Sequence, residues 1–273
     1  MILERKYLGE DKPLKKVMPE LFPEVGYSEW RACLRRKDVK LNGVRTSSDA
    51  VIVPNGTIVS IYPKTKKQIK ILFEDDNVLA CYKPKGIQSE GEVSFESAVR
   101  AERPEARLTH RLDTNTDGVI LFAKNEIAYQ EIFEAMKAGA VLKEYSAEVY
   151  GHPPVGKEIA LDYFYKKDES RGRALLSDHP KSGYIPVRIS FIVEKQKENS
   201  SLLSVKLHKG KMHQIRAMLA FYGFFILGDG KYGSDEINRL LGVKKTLLTA
   251  RSLSFSFPTH SPLAYLNTIK ISL

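Results

Sequence analysis

Residues 71–84 read ILFEDDNVLACYKP, two apolar stretches of strand length separated by Asp75-Asp76-Asn77. Short apolar runs broken by a tight turn of Asp and Asn build antiparallel hairpins, and this constrains the chain more than any other feature. The same pattern recurs downstream. Val119–Lys124 is apolar, and Lys143–Tyr150 alternates so that Tyr145, Ala147 and Val149 share one face. Pro186–Glu194 and Leu202–Leu207 pair across KENSS, and Leu247–Phe257 supplies a late strand. Helices are interspersed: one near Phe95–Glu102, one capped by Asn125 and running to about Ala138, and one from about His213 to Tyr222 that stops at Gly223. They do not alternate with strands as regular βαβ units do. The expected class is therefore α+β, with a mixed, mostly antiparallel sheet. Pro84–Gly91 reads as a loop, and 156–183, with its Lys, Asp, Gly and Ser, as an irregular insertion.

The first seventy residues have a different character. Ser28 is placed to cap a short helix, Glu29–Arg36, whose Arg31, Arg35 and Arg36 crowd one end. VKLNG (39–43) is a strand entering an Asn-Gly turn, and alternation resumes in VIVPNGTIVSIYP (51–63). PKTKKQIK (63–70) reads as a charged linker. Residues 1–70 carry 15 Lys and Arg against 8 Asp and Glu, so +7 of the net +10 charge sits there, as expected of a unit that meets a polyanion. The order of a helix, basic residues, Val-x-x-Asn-Gly and a Gly-containing turn before the last strand resembles the S-four type of RNA-binding domain. That resemblance implies a small α/β domain over residues 1–66 presenting a basic edge to structured RNA, ahead of a second domain over 67–273.

A chain of 273 residues with 42 % hydrophobic content can bury a sizeable core. No run reaches the roughly 18 apolar residues of a membrane span. The start, MILERKYLGEDKPLKK, has charges where a signal peptide needs its apolar segment, so a cytoplasmic protein with no membrane partner, acting as a monomer, is expected. Cys33 and Cys81 lie in no Cys-x-x-Cys or Cys/His cluster, and neither a disulfide framework nor a zinc site is indicated.

The segment RLTHRLDTNTDGVILFAKN (107–125) carries the chemistry. DTNTDG spaces Asp113, Asn115, Asp117 and Gly118 like the front half of a calcium-binding loop, but the twelfth position, which must close such a cage with a bidentate Glu, is Lys124. HRLDTNTDGVILFAK instead resembles the catalytic motif of the RluA family of pseudouridine synthases. Three further segments agree with that resemblance in the family's order: YKPKGIQSEG with the Lys-Pro-x-Gly loop, KEYSAEVYG with the Lys-x-Tyr-x-Ala strand, and LHKGKMHQIRAMLAFYGFFILGDGKYG with the His-Gln-Ile-Arg helix and its Gly-Asp-x-x-Tyr-Gly tail.

The resemblance implies isomerisation of uridine to pseudouridine in structured RNA, with no cofactor and no metal. Large-subunit ribosomal RNA is the favoured partner and transfer RNA the alternative. Asp113 is the implied catalytic carboxylate, either a nucleophile at the anomeric carbon or a base acting on the sugar. Arg216 is expected to hold it charged through a two-point guanidinium contact. Tyr145 carries over as the ring stacked on the target base, Ile215 as the apolar wall, and Arg111 as the side chain filling the gap left by a flipped uridine. His110 and Lys211 complete the implied substrate side with Arg31, Arg35 and Arg36, although His110 and His213 read as structural hydrogen-bonders and not as acid–base groups. Two departures stand out: Asp117 replaces the family's usual Ser, adding a negative charge near the pocket, and Lys211-Met212 replaces Arg-Thr. The rival reading, a non-catalytic RNA-binding or ribosome-assembly protein, is disfavoured because all three catalytic positions are filled.

Overall fold

The computed structural model describes residues 2–23, 25–63 and 69–273. The chain divides into two compact units, Met1–Gln68 and Ile69–Leu273. The linker expected at 63–70 lies mostly outside the described residues.

In the first unit the elements run β1 (Leu3–Lys6), β2 (Lys12–Pro13), α1 (Leu14–Leu21), α2 (Tyr27–Arg35), β3 (Val39–Leu41), β4 (Val44–Thr46), β5 (Ile52–Val53) and β6 (Ile58–Ile61). A four-stranded antiparallel sheet has the order β1-β6-β3-β4. Leu14, Val17 and Met18 on α1 and Trp30, Cys33 and Leu34 on α2 recur at helical spacing and are buried against Val39, Val59 and Ile61. The β3–β4 hairpin turns on Asn42 (φ 48°) and Gly43 (φ 82°), both left-handed as a two-residue turn of this kind requires. α2 starts at Tyr27, with Gly26 at the cap position, so the helix begins ahead of the position at which the sequence placed its cap.

The second unit continues with β7 (Ile71–Glu74), β8 (Val78–Lys83), α3 (Phe95–Arg100), β9 (Arg107–Leu108), β10 (Asp117–Ala123), α4 (Glu126–Ala138), β11 (Val141–Tyr150), β12 (Ile159–Asp168), β13 (Arg173–Ser177), β14 (Ile185–Gln196), β15 (Ser200–Leu207), α5 (Gln214–Phe221), α6 (Asp235–Leu240), β16 (Leu248–Phe255), a 3₁₀ turn at Ala264–Thr268 and β17 (Ile271–Ser272). One sheet runs β13-β12-β14-β15-β11-β16-β10-β8-β7, with β9 added to β10 and β17 to β16. Among the described pairings of this sheet only β10–β16 is parallel, which gives the expected mixed, mostly antiparallel α+β architecture.

The centre of this sheet is covered on both faces. Ile120 and Phe122 of β10 pack with α3 and α5, while Val119, Leu121 and Ala123 pack with α4 and the 3₁₀ turn. Burial on both sides is why VILFA reads as one apolar run and does not alternate. α4 is capped by the Asn125 side chain, which accepts from the Ala128 amide, and it ends at Gly139 in the left-handed region. The irregular insertion expected at 156–183 is instead a β-hairpin, β12–β13. Only Leu161, Tyr165, Ala174 and Ser177 are buried along it, and its other positions are polar or half-exposed, so an edge hairpin of this kind leaves a weak apolar signature.

Candidate active site

Asp113 lies in the loop between β9 and β10, and Arg216 on the first turn of α5 reaches it. Arg216 Nη1 donates to Asp113 Oδ2 at 2.9 Å. The two-point contact expected at Asp113 is made elsewhere. Arg216 Nε and Nη2 donate to Asp229 Oδ2 and Oδ1 at 2.7 and 2.9 Å, so the planar fork closes on Asp229 and Asp113 receives a single contact, from Nη1. The physical reason is the length of the loop after α5. It turns back and brings Asp229, whose side chain is fully buried, in behind the guanidinium, where the Lys231 and Tyr232 amides also donate to it at 2.8 and 3.1 Å.

Electrostatics follow from this arrangement. Burial works to raise the Asp229 carboxyl, but Arg216 and the two amides outweigh it and hold its pKa below the usual range. Burial likewise opposes the charge on Arg216, and the two carboxylates overcome it and raise its pKa. Asp113 keeps a quarter of its side chain exposed, and two neighbours, Arg216 and His213 (Nε2 at 4.0 Å), approach Oδ2. Among the described residues nothing donates to Oδ1, which is left to the cleft.

Tyr145 is buried on β11 between Val205 of β15 and Ala250 of β16, at the point where the β11–β16 register slips by one residue. A bulge re-aims the side chains around it. Burial, reinforced by Asp113, raises the Tyr145 pKa, so its phenol stays protonated at neutral pH. Next along the row, Gly118 pairs with Ala250 in a left-handed conformation (φ 125°), where an added Cβ would meet the Ala250 carbonyl oxygen at 2.1 Å. Only glycine permits β10 to lie this close to β16.

Asp113, Tyr145, Ile215 and Arg216 all line one open cleft of about 1990 Å³, together with Arg111 and Lys211 on its rim. Ile215 is buried in the core and reaches the cleft as an apolar wall. Arg111 is exposed and its Nη1 donates to Glu90 at 2.5 Å. His110 is enclosed. Its Nε2 accepts from the Leu121 amide at 3.1 Å, and burial, with Lys143 adding to it, pushes its pKa down to about 3, which fits a neutral structural group better than a substrate contact. Asp117 does not face substrate: it accepts from Tyr82 Oη (2.8 Å) and Thr249 Oγ1 (2.7 Å) and lies 3.5 Å from Lys85 Nζ, so its charge is absorbed within the fold. With Asp113 and Asp117 committed to different partners, DTNTDG forms no cation cage.

Three side chains with clear positions at the site had no role in the sequence reading. Asp229 and Tyr232 stand in the Gly-Asp-x-x-Tyr-Gly tail, and that spacing after the His-Gln-Ile-Arg helix was their signal. Lys83, in the Lys-Pro-x-Gly loop, is fully buried and donates to the carbonyls of Pro84 and Ile87 at 3.2 and 2.7 Å. Burial pushes its pKa down to about 8 against the pull of Asp117 and Asp113.

In the first unit, the arginines of α2 are not uniformly free. Arg31 pairs with Asp49, and Arg36 with Asp38 (2.8 Å) and Glu29 (3.0 Å). Arg35 and Lys37 are exposed, and among the described residues neither makes an ion pair. Lys37 borders a small cleft with Lys40, Arg45 and Tyr62, where Lys40 Nζ sits 5.1 Å from the Tyr62 ring centroid.

Comparison with known proteins bears on the second unit. Residues 77–221 match the family model described as RNA pseudouridylate synthase. Two curated relatives, both named ribosomal large subunit pseudouridine synthase C, come from Haemophilus influenzae and Pasteurella multocida. They are 32 % and 33 % identical over 70 % and 75 % of this chain, and the matched regions span 62 % and 65 % of their own lengths, a little under two thirds. Among solved structures, human RNA pseudouridylate synthase domain containing 1 superposes with a TM-score of 0.63 at 19 % identity, covering 78 % of this chain and 86 % of that one, a likeness of fold.

Proposed function

The chain belongs to the RNA pseudouridylate synthase family, of the RluA type, and from that premise we propose that it isomerises uridine to pseudouridine in structured RNA, with large-subunit ribosomal RNA as its substrate. One observation carries the reading: Asp113, held on one oxygen by a doubly anchored arginine and with no donor on the other among the described residues, lines a cleft rimmed by cations. Glycosidic isomerisation needs this and little more. The bond from the ribose to N1 of uracil breaks, the base turns, a bond forms to C5, and the C5 proton is lost while N1 takes up a proton, so the product is an isomer of the substrate. Asp113 acts on the ribose side, by attack at the anomeric carbon or by taking a sugar proton. Either step requires a carboxylate that does not wander, and the Asp229–Arg216 anchor holds it in place.

Tyr145 stacks on the base, and its protonated phenol makes the ring its working part. Ile215 closes the opposite wall. Arg111, held only by an exposed pair to Glu90, is free to exchange that partner for RNA and to occupy the gap left by the flipped nucleotide. The first unit is the S-four-like RNA-binding domain of the proposal, gripping phosphates through Arg35, Lys37, Lys40 and Arg45 more than through Arg31 or Arg36. The protein would work in the cytoplasm, as a monomer, without metal or cofactor. Mapping pseudouridines in ribosomal and transfer RNA from cells with and without the gene tests this. Loss of one or more sites in large-subunit ribosomal RNA is expected. Loss confined to transfer RNA would overturn the substrate, and no loss at all would overturn the reaction.

A further inference from the structure

The β12–β13 hairpin does more than border the cleft. Tyr163 on β12 packs edge-on against Phe221 of α5 with centroids 4.9 Å apart, and Tyr165 Oη donates to the Met212 carbonyl at 3.3 Å. Lys231 Nζ donates to the Gly172 carbonyl at 2.8 Å, and the Ala174 amide donates to Tyr232 Oη at 2.6 Å. Two of these contacts, to Met212 and to Tyr232, flank His213, which holds a left-handed backbone (φ 56°, ψ 18°) uncommon for a non-glycine residue. Backbone strain of this kind persists where the surroundings over-determine it.

His213 stands between two oxygens. Its Nδ1 is 3.1 Å from Tyr232 Oη, and its Nε2 faces Asp113 Oδ2 at 4.0 Å. The Tyr232 oxygen already accepts the Ala174 N–H, so its hydroxyl hydrogen is available to point at Nδ1, and a neutral imidazole accepting there carries its own hydrogen on Nε2. Burial, with Arg216 and Lys231 behind it, outweighs Asp113 and Asp229 and keeps the imidazole below its ordinary pKa, hence neutral. The Tyr232 ring is also flanked by the guanidiniums of Arg216 and Arg173, each 5.4 Å from its centroid.

We propose that Tyr232 and His213 are positioning residues for Asp113, forming a chain from the Ala174 amide through Tyr232 Oη to His213, whose Nε2–H is thereby aimed at the Asp113 oxygen that Arg216 also holds. Both donors then act on Oδ2, and Oδ1 keeps its direction toward the ribose. The edge hairpin becomes part of the active site through a main-chain amide. This rests on the catalytic reading of Asp113 given above.

The test has two arms. Nitrogen NMR of the unsubstituted protein reads the His213 tautomer directly: an unprotonated Nδ1 and a protonated Nε2 are expected, and a proton on Nδ1 would overturn the chain. Single-turnover kinetics of Tyr232→Phe, which keeps the ring and drops the hydroxyl, should show about a tenfold fall in the rate at saturating RNA with little change in RNA affinity, and a loss of the tautomer preference. His213→Gln, whose amide N–H can take over the Nε2 position, should retain more of the rate than His213→Leu. An unchanged rate in Tyr232→Phe, or equal losses in the two His213 variants, would remove the positioning role. Absence of turnover in the unsubstituted protein would instead sink the catalytic reading, and with it the role assigned to the chain, while the tautomer would still report the hydrogen bond.

Discussion

Arg216 in the second unit and Arg36 in the first each bridge two carboxylates, and solvent makes them different objects. Arg216 is nine-tenths buried, and one of its partners, Asp229, has no exposure at all. Arg36 and its partners Glu29 and Asp38 are all about a third exposed. In water-accessible surroundings such a pair is worth little, because ionic screening and lost side-chain freedom offset the attraction. In the buried case removal of one partner strands the other charge without solvent. The first arrangement is therefore an internal anchor, whereas the second trims a basic surface. A surplus of positive charge counted along the sequence overstates what is available to an RNA phosphate.

Four measurements press on this contrast. Asp113→Asn should cut turnover by on the order of a thousandfold or more while RNA affinity stays near that of the unsubstituted protein, and appreciable pseudouridine formation would end the assignment of this carboxylate. Asp229→Asn should lower the unfolding free energy by about 3–5 kcal/mol in urea titrations, against less than about 1 kcal/mol for Asp38→Asn, and similar small values for both would erase the distinction between the two arginines. Arg216→Lys keeps a charge but cannot span Asp229 and Asp113 together, so the single-turnover rate should fall on the order of a hundredfold with affinity much less affected. If affinity falls instead, Arg216 is a phosphate contact. The smallest effect belongs to the surface. Replacing Arg35 and Lys37 by Gln should reduce the slope of log affinity against log salt by roughly 0.7 to 0.9 per lost phosphate contact, and replacing Arg31 and Arg36 should change it less.

How legible this was in the sequence depends on what each residue had to announce. Strands buried on both faces declared themselves through unbroken apolar runs such as VILFA, and α4 through its Asn125 cap and Gly139 stop. β12–β13 did not, because an edge hairpin with few buried positions has no periodic apolar face to display. Asp113, Tyr145 and Arg216 were marked by the family resemblance of their motifs, and they do converge on one cleft. The tail motif marked Asp229 as well, but not its fork on Arg216, since that pairing is set by a loop path that local sequence cannot specify. The same limit explains Asp117: a charge reads as an intrusion until Tyr82 and Thr249, 35 and 132 residues away, are seen to hold it.

The parallel step between β10 and β16 has a consequence in time. β16 is the one strand joining the half of the sheet that ends in β7, β8 and β10 to the half that runs from β11 to β13, and it follows every other strand of that path along the chain. During synthesis the Asp113 loop and the Tyr145 strand emerge well before the strand that brings them side by side, so a nascent chain can hold two partial sheets but no site. Pairing at such long sequence separation is slow to close and leaves unpaired edges exposed meanwhile. The cleft is thus incomplete until translation has carried Leu248–Phe255 clear of the ribosome, and a chain stalled earlier would bear the Asp113 loop without the strand that sets it beside Tyr145.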